Sequence, residues 1–224
     1  MNKEEPNGKI LTYFQEVSNQ FSTNYCNSGL KAHTTKIFNY FSKQDLKKIN
    51  VLEIGCGVGG LLLEFLRMNA NFAIGFDLSE NMILNANKNA KEQNLEHKTF
   101  FQTADFNTLD FANLDIIKAN KPNLIIADRV FCCTPYSIEI LQKMISFNPK
   151  FIVLVLPRRN SLYRTAWRMK SKIRNAKLKI NSDIPIHYYK ASKLTSICEK
   201  HNFEIDFQSY RYVWETIIYK KKET

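Results

Sequence analysis

From residue 49 to residue 157 short apolar runs rich in β-branched residues take turns with helical stretches, and few architectures accommodate that rhythm. "INVLEI" is followed by the helical "GGLLLEFLRM", and "FAIGFD" (72–77) by "SENMILNANKNAKEQ", in which Ser79 reads as an N-cap with Glu80 in the first turn. "KTFFQTAD", "NLIIAD" (123–128) and "KFIVLVLP" (150–157) supply three more strands, and between the last two a helix opens at Pro135 and runs to about Ile145. Strands alternating with helices predict a mostly parallel sheet with helices on both faces, connected by right-handed crossovers. Towards the C-terminus "KASKLTSICEKHN" reads as a helix. "FEIDFQSY" and "YVWETIIYK" then follow too closely for a helical crossover, so they are expected to pair antiparallel at the sheet edge. The fold class is therefore α/β, with seven strands and an antiparallel C-terminal strand.

The first forty or so residues have a different pattern. Ile10, Tyr13, Phe14, Val17 and Phe21 recur at helical spacing, and after "NSG" a second run carries Leu30, Ile37, Phe38 and Phe41. The chain is read as one domain with four parts: a helical lid over 1–47, a core over 48–157, a basic insertion or cap over 158–188, and a closing helix and hairpin over 189–224. The lid reading makes Tyr13 and Tyr25 candidates to face a ligand, although core packing of both is the commoner fate of such aromatics.

The formal charge of +11 is concentrated. Residues 158–180, "RRNSLYRTAWRMKSKIRNAKLKI", hold nine Lys or Arg and no acid, which leaves +2 for the rest of the chain. A local charge requires a local explanation. The segment also has an apolar stripe, Leu162, Ala166, Met169 and Ile173, with Tyr163 and Trp167 beside it. It reads as a solvated helix packed on the core, a cap whose Arg158 or Arg159 holds an anionic acceptor, a peripheral membrane contact, or a track for RNA phosphates. The N-terminus mixes charges without an apolar h-region and no run is long enough to span a membrane, so a cytoplasmic protein is expected. Five cysteines (Cys26, Cys56, Cys132, Cys133 and Cys198) are scattered without C-x-x-C spacing, which suits reduced thiols rather than disulfides or zinc. Cys132 and Cys133 would point to opposite faces of an extended strand, so no metal site is expected there.

The stretch "VLEIGCGVGG" (51–60) sits where an open parallel sheet binds its ligand, after the first strand and near the switch point of strand order. Gly55, Gly57 and Gly60 satisfy G-x-G-x-x-G, a weak signal alone, and the N–H groups of the helix starting near Gly59 can receive an anion. Glu53 separates the readings. A dinucleotide's pyrophosphate would be repelled by an acid at that position, whereas a cofactor bearing an ammonium group would be attracted.

Here the chain resembles a known family. "VLEIGCGVG" is similar to the E/D-x-G-x-G-x-G motif of the class I S-adenosylmethionine-dependent methyltransferases, "GFDLSENMI" to their second motif and "TADF" to their third. The resemblance implies a Rossmann-like fold with S-adenosyl-L-methionine held by Glu53, Gly55, Cys56, Gly57, Gly59, Asp77, Leu78, Asp105 and Phe106. Asp77 would take the ribose hydroxyls, and Asp105 and Phe106 would take the adenine. Asp128, at the end of the fourth strand, is a further candidate for the pocket. "DRVFCCTPY", "LPRRNSLYR" and "PIHYY" more weakly resemble a bacterial subgroup labelled as like the magnesium-protoporphyrin O-methyltransferases. Thr134-Pro135-Tyr136, Arg159 and Ile186-His187-Tyr188 depart from that subgroup's pattern.

No N/D-P-P-Y/F signature of amino-group methylation follows the fourth strand. The expected activity is methylation of a small, anionic or aromatic acceptor, at oxygen. His187 is a candidate base near neutral pH, which a hydroxyl acceptor would need and a carboxylate would not. An RNA methyltransferase using 158–180, and a non-catalytic partner subunit with this fold, stay open as alternatives.

Overall fold

The computed structural model describes residues 8–30, 34–158, 165, 169, 173 and 187–223. Two helices come first, α1 (Gly8–Ser28) and α2 (Thr35–Phe41). The alternating core follows: β1 (Asn50–Ile54), α3 (Gly60–Arg67), β2 (Phe72–Asp77), α4 (Glu80–Glu92), β3 (Thr99–Thr103), α5 (Asp115–Ala119), β4 (Leu124–Asp128), α6 (Ser137–Ser146) and β5 (Phe151–Pro157). After the basic segment come α7 (Ala191–Lys200), β6 (Phe203–Arg211) and β7 (Trp214–Lys221). The short α5 had no counterpart in the apolar periodicity, because five residues are too few to establish a period.

The seven strands form one sheet in the order β3-β2-β1-β4-β5-β7-β6. β1 to β5 pair parallel throughout. β7 inserts between β5 and β6 and runs antiparallel to both, so β6 forms the edge. The fold is thus the expected Rossmann-like α/β sheet with an antiparallel C-terminal strand. Every residue of β5 is buried, as a parallel strand covered on both faces requires.

The two faces bury two cores. On one, Val51, Ala73 and Val153 meet Leu62, Phe65, Ala86, Ile37 and Phe41 from α2, α3 and α4, and α1 adds Tyr13 and Val17. On the other, Leu52, Ile74 and Leu154 meet Ile140, Leu141, Met144, Leu194 and Cys198 from α6 and α7. Polar contacts hold α1 against α4: the Ser22 hydroxyl donates to Asn89 Oδ1 at 3.1 Å, and the Asn85 amide donates to Asn19 Oδ1 at 3.2 Å. Ser79 caps α4 as expected, its Oγ accepting from the Met82 N–H at 3.3 Å. Strand order reverses at β1, whose neighbours are β2 and β4, so the crevice opens at the carboxyl ends of these three strands.

Candidate active site

The loop between β1 and α3 turns sharply because three of its residues adopt left-handed backbone: Gly55 (φ 67°), Gly57 (φ 53°) and Gly59 (φ 76°). It is fastened to β2, with the Gly55 and Cys56 N–H groups both donating to the Phe76 carbonyl at 2.7 and 3.0 Å. Gly55 is constrained further, since a Cβ there would stand 2.5 Å from Cγ2 of Val130. The Gly57 N–H donates to Oδ2 of Asp77 at 2.8 Å, and the Ser79 N–H donates to Oδ1 at 2.9 Å.

Four carboxyl groups gather around this loop. Glu53 projects from β1 into the interior, 3% exposed, and among the described residues its Oε2 has no hydrogen-bond partner. Burial above all, then the charge of Asp128, holds its carboxyl well above the ordinary range, with Arg129 pulling the other way. Burial also raises Asp77, against the backbone N–H groups that its carboxylate accepts. Asp128 ends β4 and is paired with Arg129 through Nε–Oδ1 at 3.0 Å and Nη2–Oδ2 at 3.3 Å, and the Thr34 hydroxyl donates to Oδ2 at 3.4 Å. Asp105 follows β3 and folds its own loop, Oδ1 accepting from the Asn107 N–H at 2.8 Å. Beside it the Phe106 ring stacks on Phe111 with centroids 3.8 Å apart, and Lys143 Nζ holds the Phe106 and Asn107 carbonyls at 2.9 and 2.6 Å.

These groups line one cavity of about 490 Å³, within the range of small-molecule and cofactor pockets. Glu53, Gly55, Cys56, Gly57, Asp77, Leu78, Asp105, Phe106 and Asp128 are all on its wall. Gly59 is not, serving instead as the left-handed N-cap of α3. Another part of the wall comes from α1, which presents Ile10, Phe14, Phe21 and Tyr25. The Tyr25 ring lies against Gly60, and its hydroxyl donates to Glu64 Oε1 at 3.2 Å. Burial and that carboxylate push the phenol up to about 12.

Three candidates stand elsewhere. Tyr13 is buried at 3% exposure in the core beneath α1, where it packs edge-on against Phe14, so Phe14 lines the cavity and Tyr13 does not. Helical spacing identified both residues as apolar-facing, but the apolar side of α1 is divided between the core it shares with α4 and the cavity. Arg158 continues β5 past the cavity, its guanidinium over the Tyr210 ring at 4.9 Å and donating to the Tyr212 carbonyl at 3.4 Å. His187 is half-buried and outside the cavity wall, and its backbone N–H donates to the Cys132 carbonyl at 2.8 Å. Arg159 and most of the basic segment lie outside the described residues.

Sequence reasoning did not single out Arg129, a non-glycine residue at φ 62° whose guanidinium lies 5.8 Å from the Trp214 ring. Tyr25, a lid candidate, does reach the cavity, but Ile10, Phe14 and Phe21 were read only as an apolar helical face and not as cavity wall, although a spacing of four, seven and four places them on one face of α1 with Tyr25. The adjacent cysteines behave differently from expectation as well. Residues 131–133 form a turn rather than an extension of β4, so the two thiols converge, Sγ to Sγ 3.6 Å, and Cys133 faces the cavity.

Residues 45–221 match the family described as "Methyltransferase domain". A stretch of 108 residues, 46% of this chain, is 31% identical to the sterol 24-C-methyltransferase of Candida albicans and covers 29% of that protein, so the match spans under a third of that relative's length. Among solved structures, magnesium protoporphyrin IX methyltransferase from Synechocystis PCC 6803 with bound SAH superposes with a TM-score of 0.71 at 16% identity, over 95% of this chain and 98% of that one. An O-methyltransferase family protein from Burkholderia thailandensis superposes with a TM-score of 0.66 at 10% identity, covering 96% of this chain and 62% of that chain. At such identities the structural likeness speaks for the fold.

Proposed function

This chain belongs to the methyltransferase domain family, and on that footing we propose that it uses S-adenosylmethionine to methylate a small anionic or aromatic acceptor at oxygen. The observation that carries the reading is the buried Oε2 of Glu53, without a partner among the described residues, beside a glycine loop in a cavity that also holds Asp77 and Asp105. A buried carboxyl without a partner is costly unless a ligand supplies one. The residues present fit this cofactor: Glu53 on the side of the ammonium, the N–H groups at the start of α3 for the carboxylate, Asp77 for the ribose hydroxyls, and Asp105 with Phe106 for the adenine. When bound, S-adenosylmethionine supplies an electrophilic methyl on a sulfonium.

The protein's part in such a transfer is positioning and exclusion of water. Ile10, Phe14, Phe21 and Tyr25 form an apolar, largely aromatic part of the cavity wall, which favours a flat apolar acceptor over a sugar-like one. Among the described residues no histidine lines the cavity. An acceptor oxygen that is already ionised, or easily ionised, needs no histidine base from that wall, whereas an alcohol does. The magnesium protoporphyrin IX methyltransferase and the O-methyltransferase family protein that share this fold support an acceptor of this class. We read α1 as a lid on the acceptor side.

The test is a transfer assay with labelled methyl donor and cell extract separated into small-molecule, protein and RNA fractions. Label in apolar small molecules, dependent on Phe14 and Phe21, is the expected result. Label confined to RNA would replace this reading with one built on the basic segment.

A further inference from the structure

Two thiols converge on the cavity wall just after β4. The turn at 131–133 is closed by the Cys133 N–H donating to the Val130 carbonyl at 2.8 Å. It brings Cys132 and Cys133 to the same side of the chain. Both S–H groups reach the Arg129 carbonyl, at 3.1 and 3.6 Å, and the sulfurs stand 3.6 Å from each other. Cys132 is buried, and Cys133 is half-buried and faces the cavity. The pair therefore offers two sulfurs within reach of one ligand.

We propose that Cys132 and Cys133 form a two-thiol site on the cavity wall for a trivalent, thiophilic metalloid centre, with arsenic(III) as the representative ligand. With metal–sulfur bonds of about 2.3 Å, sulfurs at this separation subtend an angle of roughly 100° at a shared centre, which suits pyramidal geometry. Hard cations require several oxygens, and among the described residues no group of three or more His, Cys, Asp or Glu is placed to hold a metal. A centre satisfied by two sulfurs and one further bond matches what this turn provides. A ligand held there would occupy part of the cavity through Cys133. The site does not depend on the methyl-transfer reading, since it is built from the turn alone.

Phenylarsine oxide is the probe, used with the full reduced chain. On binding, two S–H bonds break, two As–S bonds form, the arsenic-bound oxygen leaves as water, and arsenic stays trivalent. The expected result is one arsenical per chain by intact mass, with two of the five cysteines lost to thiol reagents in denaturant. A small dithiol should release it and a monothiol should not. Cys133→Ser should weaken binding by about a hundredfold or more, as loss of the second point of attachment does, while Cys26→Ser should leave it unchanged. Alkylation mapping of the unsubstituted protein gives the same answer without any variant: the peptide carrying residues 132–133 should be the one protected. No stoichiometric binding by the unsubstituted chain, protection on a different peptide, or undiminished binding by Cys133→Ser would overturn the proposal.

Discussion

The Gly57 N–H donates a 2.8 Å hydrogen bond to Oδ2 of Asp77, so the glycine loop after β1 and the last residue of β2 are one unit. The same carboxylate accepts the Ser79 N–H, which fixes the approach to α4. Asp77 thus organises the floor of the cavity before any ligand arrives.

Asp77→Ala should therefore act twice. It leaves two backbone donors without their acceptor, which should lower stability by about 1–3 kcal/mol. It should also weaken S-adenosylhomocysteine binding by a similar amount, through the ribose hydroxyls. Thermal melts and calorimetric titration check the two effects separately, and an unchanged dissociation constant would remove Asp77 from the site.

The buried carboxyls make stability depend on pH with a definite sign. Glu53 and Asp77, with ordinary values of 4.5 and 3.8, are both raised in the folded chain, chiefly by burial. The folded state then keeps protons that the unfolded state releases. Their contribution is complete below the unfolded values and is lost as pH rises through the folded ones. Glu53→Gln should match the parent in acid and become the more stable of the two, without ligand, between about pH 5 and pH 8. Melts of both proteins across that range test this, and a parent that gained on the variant with rising pH would contradict it.

Gly55→Ala should be costly for two separable reasons. The left-handed backbone, at φ 67°, disfavours any side chain, and the new Cβ would meet Val130 Cγ2 at 2.5 Å. A loss of about 1–3 kcal/mol is expected from the backbone alone. Val130→Ala in the same chain should recover the steric part only. A double-mutant cycle read by denaturant unfolding measures the coupling, and strict additivity would mean that the two residues do not meet.

Arg129 is the cation beside Asp128 and Glu53, and it is held in a left-handed conformation at φ 62°. Arg129→Met should destabilise the chain by about 1–3 kcal/mol, the cost of leaving the carboxylates of a half-buried pair without their donor. Arg129→Lys should restore part of this loss without the two-point contact. Arg129→Gly would relieve the backbone strain while removing the cation. If it proved as stable as the parent, strain rather than charge would dominate at this position.

Much of the fold was legible because its signals are local. Runs such as "FAIGFD" and "FIVLVLP" become strands for reasons contained in a few neighbouring residues, and observed β2 spans Phe72–Asp77 as read. Gly55, Gly57 and Gly59 advertise left-handed backbone, and Ser79 advertises a cap, through their own stereochemistry. From those positions the sheet order directs Glu53, Asp77, Asp105 and Asp128 to one end of the strands. What the tertiary structure alone decided involves choices between equivalent surfaces. Periodicity shows that α1 is apolar on its inner side, but not that Tyr13 packs into the core while Phe14 and Phe21 face the cavity. Whether Cys132 and Cys133 diverge or converge depends on the backbone at 131–133, which turns after β4 ends. Where His187 and Arg158 stand depends on the path of the chain after β5, which local composition does not encode.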